Sequence, residues 1–210
     1  NSSASHITPA DVPADYITSA RLFQSSGAVQ ALSNTACDTV FHAMRIARSA
    51  GIPVCYDPNF RPVLWGGIDR GRSAVLEAIS LADIITPSIE DARALLPGDD
   101  APETIARRLF ERGPRIVILT LGGEGAILVT RDGLTRFPPF PVEAVDATGA
   151  GDAFTGGFLV AYLEGRPLDD CVRFASAAGA LTCTGPGAVN PIPQRAAVDR
   201  FLASITPAGL

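Results

Sequence analysis

The sequence predicts an α/β layered fold, and three observations carry that prediction. Short apolar runs take turns with amphipathic ones, the pattern of strands alternating with helices. Some of the apolar runs, "IPVCYDPN" and "RIVILTLGG" among them, are nearly continuous, as in parallel strands covered on both faces. Apolar residues make up 47% of the 210-residue chain, enough for a sizeable core. No repeat, linker or low-complexity segment interrupts it, so 1–210 reads as a single domain.

The first strand is expected at 20–27, "ARLFQSSG". A helix follows over 34–50, with Val40, Met44 and Ala47 on one face and Gly51 as its C-terminal stop. "IPVCYDPN" is the next strand, 68–82 a helix and "ADIITP" a strand. A helix over 88–96 is stopped by Pro97 and Gly98, and another covers 102–112. "RIVILTLGG" is the strongest strand signal in the chain. From 125 to 145 the pattern changes: "GAILVT" and "LTRFPPFPVEAV" read as hairpin strands around "RDG". Helices over 151–163, 168–183 and 193–204 complete the chain.

Composition removes several functions. Net charge is -5 with no basic run, which argues against a nucleic-acid partner. Apolar runs are broken well short of the ~18–20 residues of a spanning helix, so no membrane role is expected. Cys37, Cys55, Cys171 and Cys183 form no CxxC pair and have no His at ligand spacing, so they read as free thiols in a reducing cytoplasm. All 17 basic residues are Arg. Without Lys there is no P-loop, no Schiff-base lysine and no protein-kinase strand lysine. Any phosphate bound here rests on backbone N–H groups, Arg or a metal ion. A Rossmann dinucleotide enzyme also fits poorly, because the Gly-rich turn comes late and leads into a helical tail.

That turn is "VDATGAGDAF", residues 145–154. Gly149, Ala150 and Gly151 allow N–H groups to converge at the start of a helix, where the dipole adds partial positive charge. Such a cradle suits a phosphoryl group in transfer. Asp152 lies in the first turn of that helix, ionised and ready to accept a proton from a substrate hydroxyl. The alternative is a carboxylate that merely caps a helix after a Gly turn.

The string "DATGAGDAFTGGF" resembles the C-terminal signature of the ribokinase-like (PfkB) carbohydrate kinases, D-T-x-G-A-G-D-x-F, with Ala147 where Thr is usual. The resemblance runs from about Ala14 to Leu202. It implies a ribokinase-like α/β/α fold with a mostly parallel sheet, Asp152 as catalytic base and Gly149, Ala150 and Gly151 as anion hole. "TLGGEG" is similar to the family turn at the nucleotide phosphates, which assigns Thr120, Gly122 and Gly125 to ATP, and the anion hole adds Gly151 to the nucleotide positions. "TPSIED" stands where the family has P-N-x-x-E, so Ser88 and Asp91 replace its Asn and Glu, Asp91 holding Mg²⁺ through water. Helix capping by Ser88 is the alternative. "TCTGPGAVN" resembles the loop that closes over adenine, which implies a K⁺ site at Asp146, Thr148, Thr182, Gly185 and Gly187, or a turn without a cation.

"YDPNFRPVLW" follows a strand, where open α/β sheets bind ligands. Asp57, Asn59 and Arg61 share one side if the backbone is extended there, and Arg61 could grip a carboxylate in bidentate fashion. An Arg61–Asp57 ion pair that only fixes the loop is the alternative. The segment looks like 2-keto-3-deoxygluconate kinases, whose arginine reads the sugar acid, and fructokinases carry a similar string. The stretch 1–27 and "PSIED" favour the ketodeoxygluconate branch.

The expected activity is therefore ATP-dependent phosphorylation of a sugar or sugar-acid hydroxyl. The rival is a non-catalytic nucleotide-binding fragment or pseudokinase. That rival arises because the chain starts at Asn1 without an initiator Met, and family members carry upstream strands and a lid that this sequence would lack. In the family those lid strands often form a homodimer contact.

Overall fold

The computed structural model describes residues 2–205. The chain forms two compact units, Asn1–Thr120 with Ile127–Thr135 and Leu121–Ala126 with Arg136–Leu210.

The first unit opens with 3₁₀ turns at Ser3–His6 and Pro9–Asp11 and a short helix α1 (Ala14–Thr18). It continues through β1 (Phe23–Ser26), α2 (Gly27–Gln30), α3 (Asn34–Ser49), β2 (Val54–Asp57) and α4 (Ile68–Leu81). Then come β3 (Ile84–Ile85), α5 (Ile89–Leu95), α6 (Pro102–Phe110) and β4 (Ile116–Thr120). β5 (Ala126–Thr130) and β6 (Gly133–Phe137) finish a sheet whose strands lie in chain order, β1 to β6.

β1 to β4 pair in parallel, with Ser26 opposite Asp57, Tyr56 opposite Ile85 and Ile85 opposite Val117. This register brings the C-terminal ends of β1 and β2 level, so Ser26 and Asp57 leave the sheet side by side. All four residues of β2 are buried, the continuous burial its apolar run predicts. Ile79, Ile84, Ile85, Ile105, Ile118 and Ile127 have no more than 1% of their surface exposed and make the core of this unit.

Local chemistry sets the boundaries. Ser33 caps α3 by accepting from the Ala36 N–H at 3.0 Å. At the other end Gly51 has φ +71°, and the N–H groups of Ile52 and Gly51 reach back to the carbonyls of Ala47 (2.8 Å) and Arg48 (3.0 Å). This is the paired bonding of a Schellman stop, as the Gly after the helix predicts.

In the second unit α7 (Ala150–Leu163), α8 (Leu168–Thr182) and α9 (Arg195–Ser204) pack together. α7 and α8 cross closely: a Cβ on Gly157 would sit 3.2 Å from the Ala178 Cβ. Phe154, Phe158, Ala161, Val172, Phe174 and Ala175 fill this core. Glu164 accepts from both Arg166 and Arg195, whose guanidiniums lie over the Phe174 ring at 4.9 and 6.0 Å.

Two expectations are corrected here. The strand predicted to run to Val145 ends at Phe137, because Pro138, Pro139 and Pro141 have no N–H to donate to a ladder. The segment 58–65 is not extended: Asn59 has φ +31° and Pro62–Trp65 is a 3₁₀ turn. Asp57, Asn59 and Arg61 therefore do not alternate along a strand. The four cysteines are free thiols, and burial raises Cys171 to about 11 and Cys55 further, as inert packed thiols behave. Among the described residues, no helix is long and apolar enough to cross a membrane.

Candidate active site

In the second unit the Gly-rich turn is built as a clasp. Asp146 Oδ1 accepts from the Thr148 hydroxyl (2.7 Å) and N–H (2.9 Å), and Oδ2 accepts from the Gly187 N–H at 2.9 Å. These bonds, the Thr148 hydroxyl first, hold the Asp146 carboxyl down at about 2. The N–H groups of Val145 and Asp146 both reach the Cys183 carbonyl, at 2.8 and 3.2 Å. Residues 145–148 and 183–187 are thus locked together.

Gly149 then starts α7 with φ +82°, and a Cβ there would stand 2.7 Å from the Ala188 carbonyl oxygen. No other residue fits both the dihedral and the gap. The Ala150 N–H turns back to the Ala147 carbonyl at 3.1 Å, and the first helical bond is Ala153 N–H to the Gly149 carbonyl at 2.9 Å. Of the three predicted N–H donors, Ala150 is therefore engaged within the turn. Gly151 and Asp152 precede the first helical donor, at the positive end of the dipole. Both are exposed, and a Cβ on Gly151 would touch nothing within 4 Å. The Asp152 carboxylate thus sits beside open backbone donors.

Thr182 is buried and its hydroxyl donates to the Ala178 carbonyl at 2.9 Å. With that hydroxyl and the Asp146 oxygens already bonded, what the five predicted cation positions still offer in quantity is carbonyl oxygen, a donor that suits K⁺. The "TLGGEG" turn is equally compact. Gly122 has φ +57°, and Gly125, at φ +96°, approaches the Phe137 carbonyl so closely that a Cβ would lie 2.0 Å from it.

The first unit holds the other predicted residues at the ends of β2, β3 and β4. Ser88 caps α5 by accepting from the Asp91 N–H at 3.0 Å and forms a parallel bridge with Thr120, whose N–H reaches the Pro87 carbonyl at 2.9 Å. The capping role weighed for Ser88 is therefore real, and it places Ser88 beside Thr120. Asp57 is buried and its Oδ1 accepts from the Asn59 N–H at 3.1 Å. Arg61 Nε donates to Asn59 Oδ1 at 3.0 Å. The chain bends between them, yet the three side chains still form one linked arm ending in an exposed guanidinium.

Three contacts on this arm were not foreseen. Asp91 Oδ1 accepts from the Phe60 N–H at 2.9 Å. Burial raises the Asp91 carboxyl above the usual range, against the pull of that N–H, the Ser88 hydroxyl and the Arg61 charge. Gly27 abuts the turn so tightly that a Cβ would lie 2.1 Å from the Pro58 carbonyl oxygen, and the buried Tyr56 hydroxyl donates to Gln30 Oε1. The glycine after "QSS" is the one sequence signal for this crowding. The Phe60–Asp91 bond joins residues 31 positions apart and leaves no local pattern. As donors, the Asp91 carboxylate and Ser88 hydroxyl are hard oxygens, the chemistry Mg²⁺ takes.

Comparison with known proteins gives these arrangements a family. The 2-dehydro-3-deoxygluconokinase of Bacillus subtilis (strain 168) is 34% identical over 205 residues, covering 97% of this chain. A solved putative ribokinase II from E. coli, in complex with ATP and Mg²⁺, superposes with a TM-score of 0.85 at 27% identity over 93% of this chain and 63% of its own. A fructokinase from Vibrio cholerae O395, solved with fructose, ADP and calcium, gives 0.81 at 28% identity over 93% of this chain and 64% of its own. The chain spans 63% of the length of the Bacillus relative. Residues 1–195 match the pfkB family carbohydrate kinases. On that match, and on a fold shared with ribokinase-like kinases, this chain belongs to the pfkB carbohydrate kinase family.

Proposed function

We propose that this chain carries the phosphoryl-transfer machinery of an ATP-dependent sugar kinase, acting on a hydroxyl of 2-keto-3-deoxygluconate. The observation that carries the reading is the start of α7: a Gly149 turn, unengaged early N–H groups and Asp152 in the first turn. Asp152 takes the proton of the attacking hydroxyl, which lends roughly 10²–10⁴ in rate. The open N–H groups at the start of α7, that of Gly151 first, receive charge developing on the transferring group, each aimed donor giving roughly 3 kcal/mol; Ala150, predicted to share this role, has its N–H on the Ala147 carbonyl. Thr120, Gly122, Gly125 and Ser88 serve the nucleotide. Mg²⁺, associated with Asp91 through water, would neutralise phosphate charge when bound. K⁺ would sit among the Asp146, Thr148, Thr182, Gly185 and Gly187 carbonyls. The ATP and Mg²⁺ of the E. coli ribokinase II structure support the cosubstrate.

Arg61 supplies the substrate reading. An exposed guanidinium held in plane by Asn59 is suited to a carboxylate, which ketodeoxygluconate has and fructose lacks. The Bacillus relative supports the acid and the Vibrio relative the neutral sugar, so fructokinase is the rival. We extend the proposal to 1–210 as part of one kinase domain in a cytoplasmic protein.

The test is phosphoryl transfer from ATP to ketodeoxygluconate and to fructose, side by side, in wild type and Asp152→Asn. Turnover on the acid alone is expected. Asp152→Asn should lose at least about a hundredfold in turnover while still binding nucleotide. Wild-type turnover in that variant would remove Asp152 as the base, and an inert wild type that binds nucleotide would favour the pseudokinase reading.

A further inference from the structure

Phe60 lies between Asn59 and Arg61, and its N–H is held by a residue from another element. Asp91, in the first turn of α5, reaches it with Oδ1 at 2.9 Å. Asp91 is anchored in turn, its own N–H bonded to the Ser88 hydroxyl at 3.0 Å. The arm turns through Asn59 at φ +31°, a conformation on the left-handed side that asparagine enters more readily than other non-glycine residues. Asp57 Oδ1 on the Asn59 N–H imposes it from one side, and Asp91 Oδ1 on the Phe60 N–H from the next. Phe60 is itself buried, its ring 2.8 Å from where a Cβ on Gly71 would be, so the peptide cannot drift without repacking α4. Beyond it, Asn59 Oδ1 fixes the Arg61 Nε.

We propose that Asp91 is a positioning residue for the substrate arm: by accepting the Phe60 N–H, its Oδ1 fixes the turn that presents Asn59 and Arg61 to a carboxylate-bearing sugar. The proposal rests on the substrate reading of Arg61 and is independent of any role of Asp91 toward Mg²⁺. What the arm needs from this position is an acceptor oxygen, not a charge. Asparagine supplies that oxygen with nearly the same shape, and alanine removes it.

The test uses the 210-residue chain in Mg²⁺-free, nucleotide-free buffer, as wild type, Asp91→Asn and Asp91→Ala. Hydrogen exchange of the Phe60 amide and the affinity for 2-keto-3-deoxygluconate are measured. The fluorescence of Trp65, the one tryptophan of the sequence, follows binding from within the same segment. Asp91→Asn should keep Phe60 protected and the affinity within about twofold. Asp91→Ala should expose Phe60 and weaken the acid about tenfold, the upper range for the loss of one ordinary hydrogen bond. An alanine variant that binds like wild type overturns the proposal, as does an asparagine variant that weakens as much as alanine. If wild type binds no ketodeoxygluconate, the substrate reading fails instead. Phe60 exchange then decides, and protection surviving in Asp91→Ala overturns the positioning role.

Discussion

Asp146 and Asp152 lie six positions apart and have opposite chemical situations. Asp146 has both oxygens committed to Thr148 and Gly187, and its pKa is lowered to about 2 from an ordinary 3.8. A carboxyl depressed by folding stabilises the native state above its unfolded value and loses that contribution as pH falls through the folded one. The stability advantage of wild type over Asp146→Ala should therefore be full at neutral pH and shrink between about pH 4 and pH 2, followed by urea unfolding at each pH. Gly149 carries a different constraint. Gly149→Ala meets a positive φ and the Ala188 carbonyl together, and should cost roughly 1–3 kcal/mol in denaturant unfolding. At this scale the sequence identifies which residue types to look at, because carboxylates and glycines in one string are a local pattern. It does not show that Asp146 is bonded to Gly187, 41 positions away.

α7 contains adjacent glycines with contrasting surroundings. Gly156 has nothing within 4 Å of a would-be Cβ, whereas Gly157 faces Ala178 and the Ala175 backbone at 3.2 and 3.3 Å. Gly156→Ala should raise stability by about 0.5–1 kcal/mol through helix propensity alone. Gly157→Leu should lower it by ~1–3 kcal/mol by forcing α7 off α8, and thermal melts of the pair separate the two effects. Helices and strands were legible where a period or a stop residue marks them, as the apolar face and Gly51 mark α3. The short elements were not: α1, α2 and the Pro62–Trp65 turn are too brief to show a period. The strand expected to reach Val145 stops at Phe137 because Pro138, Pro139 and Pro141 interrupt the apolar residues that follow.

For the whole molecule, ligand linkage gives a direct check. A protein that binds ATP with Mg²⁺ only when folded gains about 2.7 kcal/mol at a hundredfold excess over Kd. ATP with Mg²⁺ should therefore raise the melting temperature measurably, and EDTA should remove most of the rise. An unchanged melt would count against a nucleotide site in this chain.

The sequence alone determined the α/β class and the kinase family, and it nominated the residues proposed to do chemistry. Hydrophobic period, glycine placement and a thirteen-residue motif are local properties that a chain carries before it folds. Tertiary structure decided how those residues are held. The parallel register levels Ser26 with Asp57, Gly27 closes on Pro58, and Asp91 takes the Phe60 N–H. Each joins positions some thirty residues apart. Hydrogen-bond partners of that kind are fixed only when packing brings strand ends together, which the order of residues along the chain does not encode locally.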